Sequence, residues 1–467
     1  MSDAFLDRDQ ELAQLRAVHH RKGAQLLAVH GRRRIGKTAL LVHWLEREPK
    51  LRSVYWVADR STSQVLLGKF SRAIGALLDA HDPRFTFSSW DVALEALSRL
   101  SEKKPLVVVI DELPYLMESV PAFATILQAA WDKHLRHSQV RLIVAGSQYH
   151  MMQDTFASPK GALFGRTTAD LHVDEVGVDD MALFLPSYSP RQLVETYGVV
   201  GGVPRYLEMC DHRRPVLRNV REIVLSPATL FRNEPTFLIQ DEIADPRTYL
   251  ALLEAIGGGA RRPVDIARDA GVQLAHVGKY LHTLEVLRFV RRIVSAEAAG
   301  DTRKSRYEVR DPYLRFHFAF IQPHVGLLEQ GRVERVMEVI RVGFDAHVGK
   351  VAYEEICRRY VATQADRDQL PFRALEVGRL WDGRIEIDVA GIDHKSKNAL
   401  VGECRWRERP MGAEVLDGLV TRAKAFEPLR GFKLHYVLFS RSGFTTALQR
   451  RAAREGVLLV EGVPSSR

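Results

Sequence analysis

The segment at residues 31–38 constrains the fold more than any other part of this sequence. It reads Gly-Arg-Arg-Arg-Ile-Gly-Lys-Thr, follows an apolar run at residues 26–29, and leads into an apolar helical pattern that continues to residue 45. The order strand, glycine-containing loop, helix is the context that the P-loop spacing requires, because its glycines let backbone N–H groups turn towards phosphates. The sequence therefore predicts a nucleotide-binding α/β domain with a parallel sheet.

Each position of this motif has an expected role. Lys37 is expected to reach the β- and γ-phosphates, and Thr38 to offer its hydroxyl to Mg²⁺. A chance match in a basic loop is the alternative, and the strand and helix patterns on both sides argue against it. The candidate nucleotide-binding residues are Gly31, Arg32, Arg33, Arg34, Ile35, Gly36, Lys37, Thr38 and Ala39.

A second apolar run, at residues 106–110, ends in the carboxylates Asp111 and Glu112. It looks like a Walker B segment, in which Asp111 would hold the Mg²⁺ shell and Glu112 would polarise the attacking water. Solvated acids often end strands, but the preceding P-loop strengthens the assignment. A later strand, at residues 141–146, ends in Ser147, whose side chain could report the presence of a γ-phosphate.

Composition limits the class of protein. A chain of 467 residues with ordinary hydrophobic and charged content predicts several soluble domains. The net charge of +9 favours a polyanionic partner such as nucleic acid, although proteins that bind none also carry such an excess. Three distant cysteines have no metal-ligand spacing, and no run approaches the length of a membrane span. We therefore expect a cytoplasmic protein without a membrane segment.

The middle of the chain is predominantly helical by pattern. A proline-containing segment at residues 227–246 predicts a linker, and three short helical patterns followed by two β-like segments predict a winged helix. Its third helix could enter a DNA major groove with Gln273, His276, Lys279 and Tyr280, but winged helices also serve as packing modules. The cations expected to neutralise phosphates from the wing are Arg291, Arg292, Arg303, Lys304 and Arg306.

The last part of the chain alternates strands and helices, with predicted strands at residues 373–377, 384–392, 398–405 and 433–440. Glu386 and Asp388 lie two apart on one strand, and Glu403 and Arg405 on the next, so period-two alternation can aim all four at one face. Such carboxylates suit Mg²⁺-dependent phosphodiester chemistry, with Glu355 on the preceding helix as a further metal ligand. Exposed charges at sheet edges are the alternative.

Five segments together resemble the archaeal-type AAA+ ATPase family, which is related to STAND signalling ATPases. They are the P-loop, Ile-Asp-Glu-Leu-Pro-Tyr at 110–115, Ala-Gly-Ser at 145–147, Leu-Phe-Gly-Arg at 163–166 and Gly-Gly-Val-Pro-Arg-Tyr at 201–206. The resemblance covers roughly residues 1–235 and implies ATP as the nucleotide. It also implies that Ser147 is a sensor, that Pro204 lies in a helical lid near the adenine, and that Arg166 is a phosphate-sensing or finger arginine. A solvated charge is the alternative for Arg166.

The same resemblance implies a PD-(D/E)xK nuclease core in the carboxy-terminal domain, with catalytic candidates Asp388, Glu403 and Arg405. Arg405 occupies the lysine position of that motif, and its planar, always charged fork cannot be assumed to replace an ammonium group. The expected domains are the ATPase core at 1–177, the lid at 178–235, the winged helix at 236–320 and the nuclease-like domain at 321–467.

The sequence thus predicts an ATP-binding, slowly hydrolysing switch with ATP and Mg²⁺ as cofactors. It would bind DNA through the winged helix and the carboxy-terminal domain, carry a weak or degenerate nuclease site, and could form a nucleotide-dependent homo-oligomer. The alternative is a non-enzymatic, ATP-bound regulator or DNA-binding protein whose carboxy-terminal domain is inactive.

Overall fold

The computed structural model describes residues 7–78, 85–298 and 305–465. These residues divide between two compact units, Met1–Val176 with Val203–Arg205, and Gly177–Gly202 with Tyr206–Arg467. The ranges expected for the lid, the winged helix and the nuclease-like domain therefore fall almost entirely in one unit. Within the described ranges, no helix is long and apolar enough to cross a membrane.

The first unit contains a five-stranded parallel sheet with helices. The strands are β1 (Gln25–His30), β2 (Ser53–Val57), β3 (Leu106–Asp111), β4 (Val140–Gly146) and β5 (Ala169–His172), in the spatial order β2-β3-β4-β1-β5. The helices are α1 (Asp9–His20), α2 (Lys37–Arg47), α3 (Ser63–Gly75), α4 (Trp90–Leu100), α5 (Leu113–Ser119), α6 (Phe123–Lys133) and α7 (Tyr149–Phe156).

The continuous apolar runs of the sequence explain why this sheet is central. Every residue of β1, β3 and β4 is buried, as expected for parallel strands that are covered on both faces. Because parallel strands end at the same edge, the P-loop after β1, the acids after β3 and Ser147 after β4 meet at the carboxyl edge. The predicted α/β domain with a parallel sheet is therefore confirmed.

The second unit begins with short helices, and it corrects one prediction. The helices are α8 (Met181–Phe184), α9 (Pro190–Val200), α10 (Pro204–Met209, which starts in the first unit), α11 (Val216–Asn219) and α12 (Glu234–Gln240). Helix α12 lies inside the segment expected to be a linker. Pro235 does not prevent it, because the proline occupies the first turn of the helix, where its missing N–H is not needed.

Three further helices and a two-stranded antiparallel sheet follow. They are α13 (Arg247–Gly257), α14 (Pro263–Asp269), α15 (Leu274–Val286), β6 (Val290–Ile293) and β7 (Arg306–Val309). Helix α15 buries Val277, Leu281 and Leu284 and leaves Gln273, His276 and Lys279 exposed. This order of elements is the one expected for a winged helix. The predicted wing residues Arg303 and Lys304 lie outside the described residues.

The chain ends in a mixed five-stranded sheet. Helices α16 (Pro312–Phe316), α17 (Val325–Glu329), α18 (Val333–Val348) and α19 (Glu354–Asp366) precede β8 (Glu376–Trp381), β9 (Glu386–Asp393), β10 (Asn398–Arg405), α20 (Ala413–Ala425), β11 (Lys433–Ser440), α21 (Thr446–Glu455) and β12 (Leu458–Glu461). The order is β12-β11-β10-β9-β8, with β10 to β12 parallel and β8 to β10 antiparallel. Strand β8 begins later than predicted, and α21 and β12 were not predicted.

Candidate functional site

The P-loop connects β1 to α2 at the carboxyl edge of the first sheet. Arg34 and Gly36 have φ values of 66° and 93°, so the loop adopts left-handed conformations that turn successive N–H groups inward. The Nζ atom of Lys37 donates to the carbonyl oxygens of Gly31, at 2.8 Å, and Arg32, at 3.2 Å. The loop thus has the shape and the hydrogen-bond donors that fit a phosphate chain. Ala39, the last of the predicted nucleotide-binding residues, lies in the first turn of α2.

The carboxylate of Asp111 organises the acidic side of the site. Its Oδ2 atom accepts hydrogen bonds from the hydroxyls of Thr38, at 2.7 Å, and Tyr55, at 2.5 Å, and its Oδ1 atom accepts from the N–H of Glu112, at 2.9 Å. The structure therefore brings together the two predicted Mg²⁺-binding residues, Thr38 and Asp111. Burial, followed by the charge of Asp111, raises the pKa of Tyr55, so this tyrosine remains a hydrogen-bond donor.

The predicted water-activating and sensor residues are also in contact. The Oγ atom of Ser147 donates to Oε2 of Glu112 at 2.9 Å. Glu112 has a φ of 54°, a left-handed conformation that is uncommon for a residue with a side chain and that breaks the extended course of β3. The hydroxyl at the end of β4 thereby fixes the direction of the carboxylate at the end of β3.

Other contacts position the P-loop and its arginines. Arg32 forms an ion pair with Glu175 at 3.1 Å, and Arg33 donates to the hydroxyl of Tyr115. Arg8 is 6% exposed and donates to the carbonyl oxygen of Ile35 at 3.1 Å. Arg8 was not predicted from the sequence, because no residue pattern marks a buried arginine ahead of an amphipathic helix.

A pair of histidines beside the P-loop was also missed. His30 is the last residue of β1, and it is the register partner of His172 on β5. Their Nδ1 atoms are 3.1 Å apart, and the Nε2 atom of His30 lies 2.8 Å from a carboxylate oxygen of Asp170. The two histidines could have been predicted to be neighbours only if the sequence had shown that β1 and β5 are adjacent strands.

Arg166 does not lie where a phosphate-sensing residue of its own chain would be needed. Its guanidinium forms an ion pair with Asp132 at 2.8 Å, and it lines a depression together with Ala24 and Thr168. These residues precede β1 and β5, so they lie at the amino edge of the sheet, whereas the P-loop follows the carboxyl end of β1. The two edges are separated by the length of β1, roughly 20 Å at about 3.3 Å per residue. Arg166 therefore lies at the edge of the sheet opposite to the P-loop, and its role as a phosphate-sensing or finger arginine stays a prediction.

Pro204 is the first residue of α10, and residues 203–205 group with the first unit. The helix continues into the second unit from Tyr206. The lid role of Pro204 near an adenine stays a prediction.

The wing arginines have partners within the second unit. Arg291 forms ion pairs with Glu308 on β7 and, at 2.7 Å, with Glu355 on α19. Arg306 lies 3.6 Å from Glu386 on β9, and its guanidinium lies 4.8 Å from the ring centroid of Trp381. Acids distant in sequence therefore hold Arg291 and Arg306 in place, and contact of these two residues with DNA phosphates stays a prediction.

The predicted nuclease-like residues lie at one end of β9 and β10. The Oδ2 atom of Asp388 accepts from the N–H of Cys404 at 3.0 Å, and Glu403 forms ion pairs with both Arg405 and Arg422. Burial, followed by the charge of Glu403, raises the pKa of Asp388 to about 6. Asp388 and Glu403 are therefore neighbours, but two arginines already hold Glu403.

Helix α19 contributes Glu354, and not the predicted Glu355, to the group of carboxylates around Asp388. Glu355 is bound to Arg291, whereas the adjacent Glu354 is close enough to Asp388 that burial and Asp388 together raise the pKa of Glu354. Glu386 is held by Arg261 at 3.1 Å and does not join this cluster. Among the described residues, no group of three or more histidine, cysteine or acidic side chains has the arrangement of a metal site.

Comparisons with known proteins agree with the nucleotide-binding geometry. Residues 5–210 match the model of a family described as an ATPase domain predominantly from Archaea, and residues 317–416 match one described as archaeal and bacterial proteins of unknown function. An uncharacterized protein of Methanocaldococcus jannaschii, MJECL04, is 26% identical over 404 residues, which cover 86% of this chain and 88% of the relative.

Solved structures support the fold. The Walker-type ATPase PABY2304 of Pyrococcus abyssi superposes with a TM-score of 0.51 and 18% identity, covering 68% of this chain and 97% of that chain. The ORC2 protein of Aeropyrum pernix gives a TM-score of 0.43 and 14% identity, covering 73% and 98%, which is too low to support an argument. Residues 5–210 are therefore similar to an ATPase domain predominantly from Archaea and share the fold of a Walker-type ATPase, and residues 317–416 are similar to a family of unknown function.

Proposed function

We propose that this protein is a molecular switch that binds ATP with Mg²⁺ and hydrolyses it slowly. The observation that carries the proposal is the pair of hydrogen bonds at one sheet edge, Thr38 to Asp111 at 2.7 Å and Ser147 to Glu112 at 2.9 Å. The first couples the two residues that would hold Mg²⁺. The second couples the carboxylate that would orient water to the residue that would sense the γ-phosphate.

Each residue has a role in that proposal. When bound, Mg²⁺ supplies charge stabilisation at the β- and γ-phosphate oxygens. Lys37 already lies over the loop and would exchange its contacts with two carbonyl oxygens for phosphate oxygens. Thr38 and Asp111 would hold the ion directly or through water, and Glu112 would accept a proton from the attacking water. Ser147 would keep the carboxylate of Glu112 oriented through the hydrogen bond at 2.9 Å.

Two substitutions at this site and one control test the proposal in the full-length protein. Lys37→Ala should abolish ATP binding, measured by calorimetry, because it removes a phosphate contact. Glu112→Gln should retain ATP binding and lose phosphate release, because it removes only the water-activating carboxylate. Glu118→Gln, which changes an exposed acid on α5, is the matched control and should leave both unchanged. Phosphate release by Glu112→Gln at the wild-type rate would exclude Glu112 as the base.

The competing function is a non-enzymatic regulator in which bound ATP only holds one conformation. It predicts ATP binding without steady-state phosphate release, both with and without DNA. A nucleotide-dependent homo-oligomer, in which Arg166 would serve as a finger towards a neighbouring copy, is an extension of the switch proposal. Sizing experiments with ATP and with ADP test that extension.

DNA contact is a second proposal, now confined to fewer residues. Gln273, His276 and Lys279 form an exposed face on α15, opposite the face that packs in the core. A helix with this exposed face can enter a major groove. Because Arg291 and Arg306 are engaged by acids, we expect less phosphate contact from the wing than the sequence predicted.

Metal-dependent DNA cleavage is the least supported part of the proposal. The proximity of the Glu354, Asp388 and Glu403 carboxylates, which adds to burial in raising the pKa of Glu354 and Asp388, motivates a divalent-ion site, whereas the ion pairs of Glu403 with Arg405 and Arg422 oppose one. We therefore expect weak cutting or none. If cutting occurs, Asp388→Ala must abolish it, and Arg405→Lys should retain it. Cutting that survives Asp388→Ala would exclude this cluster.

A further inference from the structure

An arginine-rich cavity lies within the second unit, and its lining residues include none of the P-loop. Its volume is about 460 Å³, and residues of β6, β7, α19 and β8 line it. Cavities of this size hold small organic molecules rather than single ions. Five arginines line it against two glutamates, Glu308 and Glu355, which favours an anionic ligand. The arginines are Arg291, Arg292, Arg358, Arg359 and Arg379.

Three of these arginines are already held in place. Arg291 and Arg379 both bind Glu308, the latter at 2.9 Å, and Arg358 donates to the carbonyl oxygen of Asp388 at 2.9 Å. Fixed guanidinium groups bind an oxyanion with little loss of side-chain entropy. The structure therefore provides a pre-ordered layer of cations along the cavity.

Arg379, in this layer, has buried donors without a hydrogen-bond acceptor in the described ranges. Arg379 is 6% exposed, and its Nε atom has no hydrogen-bond partner among the described residues. A buried N–H group without an acceptor destabilises a protein, so such groups are rare and usually have a reason. A ligand oxygen in the cavity would satisfy this donor.

The other two arginines have weaker contacts. The Nε atom of Arg292 forms an ion pair with Glu285 at 3.9 Å, which is too long for a hydrogen bond. Arg359 is exposed, and in the part of the chain that the structure describes no carboxylate lies within ion-pair distance of it. Neither residue belongs to the buried network around Glu308, so each can be changed without breaking that network.

We propose that this cavity binds a phosphate monoester on a nucleotide-sized molecule. A phosphate monoester carries up to two negative charges and presents three oxygens, which match several arginine forks better than a single carboxylate does. Val377 and Trp381 also line the cavity and can contact the organic part. The ligand is either a free mononucleotide or the terminal phosphate of a nucleic-acid strand. The proposal goes beyond ATP binding at the P-loop and does not depend on it.

The test measures binding by calorimetry to the full-length Lys37→Ala protein, so that the P-loop does not contribute. The probes are thymidine 5′-monophosphate, thymidine, and a short oligothymidylate with either a 5′-phosphate or a 5′-hydroxyl. Arg292→Ala and Arg359→Ala are each introduced into this protein. Arg450→Ala, which removes an exposed arginine on α21 outside the cavity, is the matched control.

We expect the phosphorylated probes to bind, and Arg292→Ala and Arg359→Ala each to weaken binding about tenfold, as the loss of one charge-assisted hydrogen bond would. Arg450→Ala should change nothing. Binding of the monophosphate identifies a free nucleotide as ligand, and binding of the phosphorylated oligonucleotide alone identifies a strand end. The proposal is overturned if no phosphorylated probe binds, if thymidine or the 5′-hydroxyl strand binds equally well, or if Arg450→Ala weakens binding as much as the cavity variants. Wild-type ATP binding is measured separately, so failure here leaves the switch proposal intact.

Discussion

Glu308 is the residue whose substitution should most clearly disturb the second unit. It lies on β7, is 8% exposed, and its carboxylate contacts three arginines. The contacts are with Arg291, with Arg379 at 2.9 Å and with Arg315 at 3.2 Å. Glu308→Gln keeps the shape of the side chain and removes the charge. The substitution removes the counter-charge that the three guanidinium groups share and leaves Arg291 with Glu355, Arg379 with Glu354, and the largely buried Arg315 without its carboxylate.

The loss of stability expected for Glu308→Gln follows from the distances between Glu308 and its three arginines. Each ion pair contributes about 4 kcal/mol of gross attraction at a separation near 4 Å and an effective dielectric constant of about 20. Desolvation of the four charged groups offsets most of that sum, at several kcal/mol for each ion. Removing one partner from such a buried cluster costs about 3–5 kcal/mol, because the remaining charges stay desolvated. We expect Glu308→Gln to lower the free energy of unfolding of this region by that amount.

Hydrogen exchange of the β6, β7 and β8 amides measures this loss locally, so the result does not depend on the first unit. Glu285→Gln, which removes a partly exposed acid 3.9 Å from Arg292, is the control and should change the free energy of opening by less than about 1 kcal/mol. Wild-type exchange rates in Glu308→Gln would refute the reasoning.

The pH dependence provides an independent check on Glu308. Burial opposes its ionisation, but Arg315, Arg291 and Arg379 outweigh burial and lower the pKa of its carboxyl below the ordinary 4.5. A lowered carboxyl pKa stabilises the folded state above the unfolded-state pKa, and that stabilisation is lost as the pH falls. The difference between the wild type and Glu308→Gln should therefore be constant from neutral pH down to about 4.5 and shrink below it.

Three further changes have defined outcomes. Ser147→Ala should retain ATP binding and lower the rate of phosphate release about tenfold, because Glu112 loses the donor that orients it; an unchanged rate would remove the sensor role. Asp388→Asn should raise the melting temperature at pH 7. Burial and the charge of Glu403 raise the pKa of Asp388 to about 6. The free energy of unfolding of the wild type therefore falls by up to about 3 kcal/mol as the pH rises from about 4 to above 6, and the variant avoids this loss. The gain should disappear at pH 4, and a lower melting temperature at pH 7 would contradict the assignment. Lys279→Ala should weaken DNA binding across sequences and reduce the salt dependence by about one unit of slope; DNA binding with the wild-type salt dependence would exclude α15 as the contact.

The fold around the P-loop was largely predictable from the sequence, because its signals are local. The P-loop spacing, the apolar runs and the acids at residues 111–112 each depend on residues that are close together in the chain. A buried parallel strand must be apolar throughout, and its loop must supply the ligand contacts. Strand, loop, helix and acidic strand end were therefore predicted at the positions where they are observed.

The contacts that complete the site could not be read in the same way. Tyr55 reaches Asp111, and His30 reaches His172, only because the sheet order places their strands side by side. The role of Arg166 was predicted from a sequence motif, and that motif does not indicate at which edge of the sheet its loop lies. In each case the missing information is strand order and strand direction, which sequence spacing does not contain.

Helical phase decided which glutamate faces Asp388. The π-helical turn Gly349–Tyr353 separates α18 from α19, and such a turn inserts a residue and rotates the following side chains by about 100°. An apolar pattern with a period of 3.6 residues does not reveal that shift. Glu354 consequently joins Asp388 and Glu355 binds Arg291, opposite to the prediction.

By itself, the sequence determined the class of the first domain, the position of the glycine-containing loop after β1 and the acids at the end of β3, because backbone conformation and burial follow local residue patterns. Only the tertiary structure decided which charges are free. Arg291 meets a partner 64 positions away in Glu355, and Arg306 meets Glu386 on a different sheet. The strength of such an ion pair depends on the distance between the charges in space and on their desolvation, and neither quantity can be predicted from the order of the residues alone.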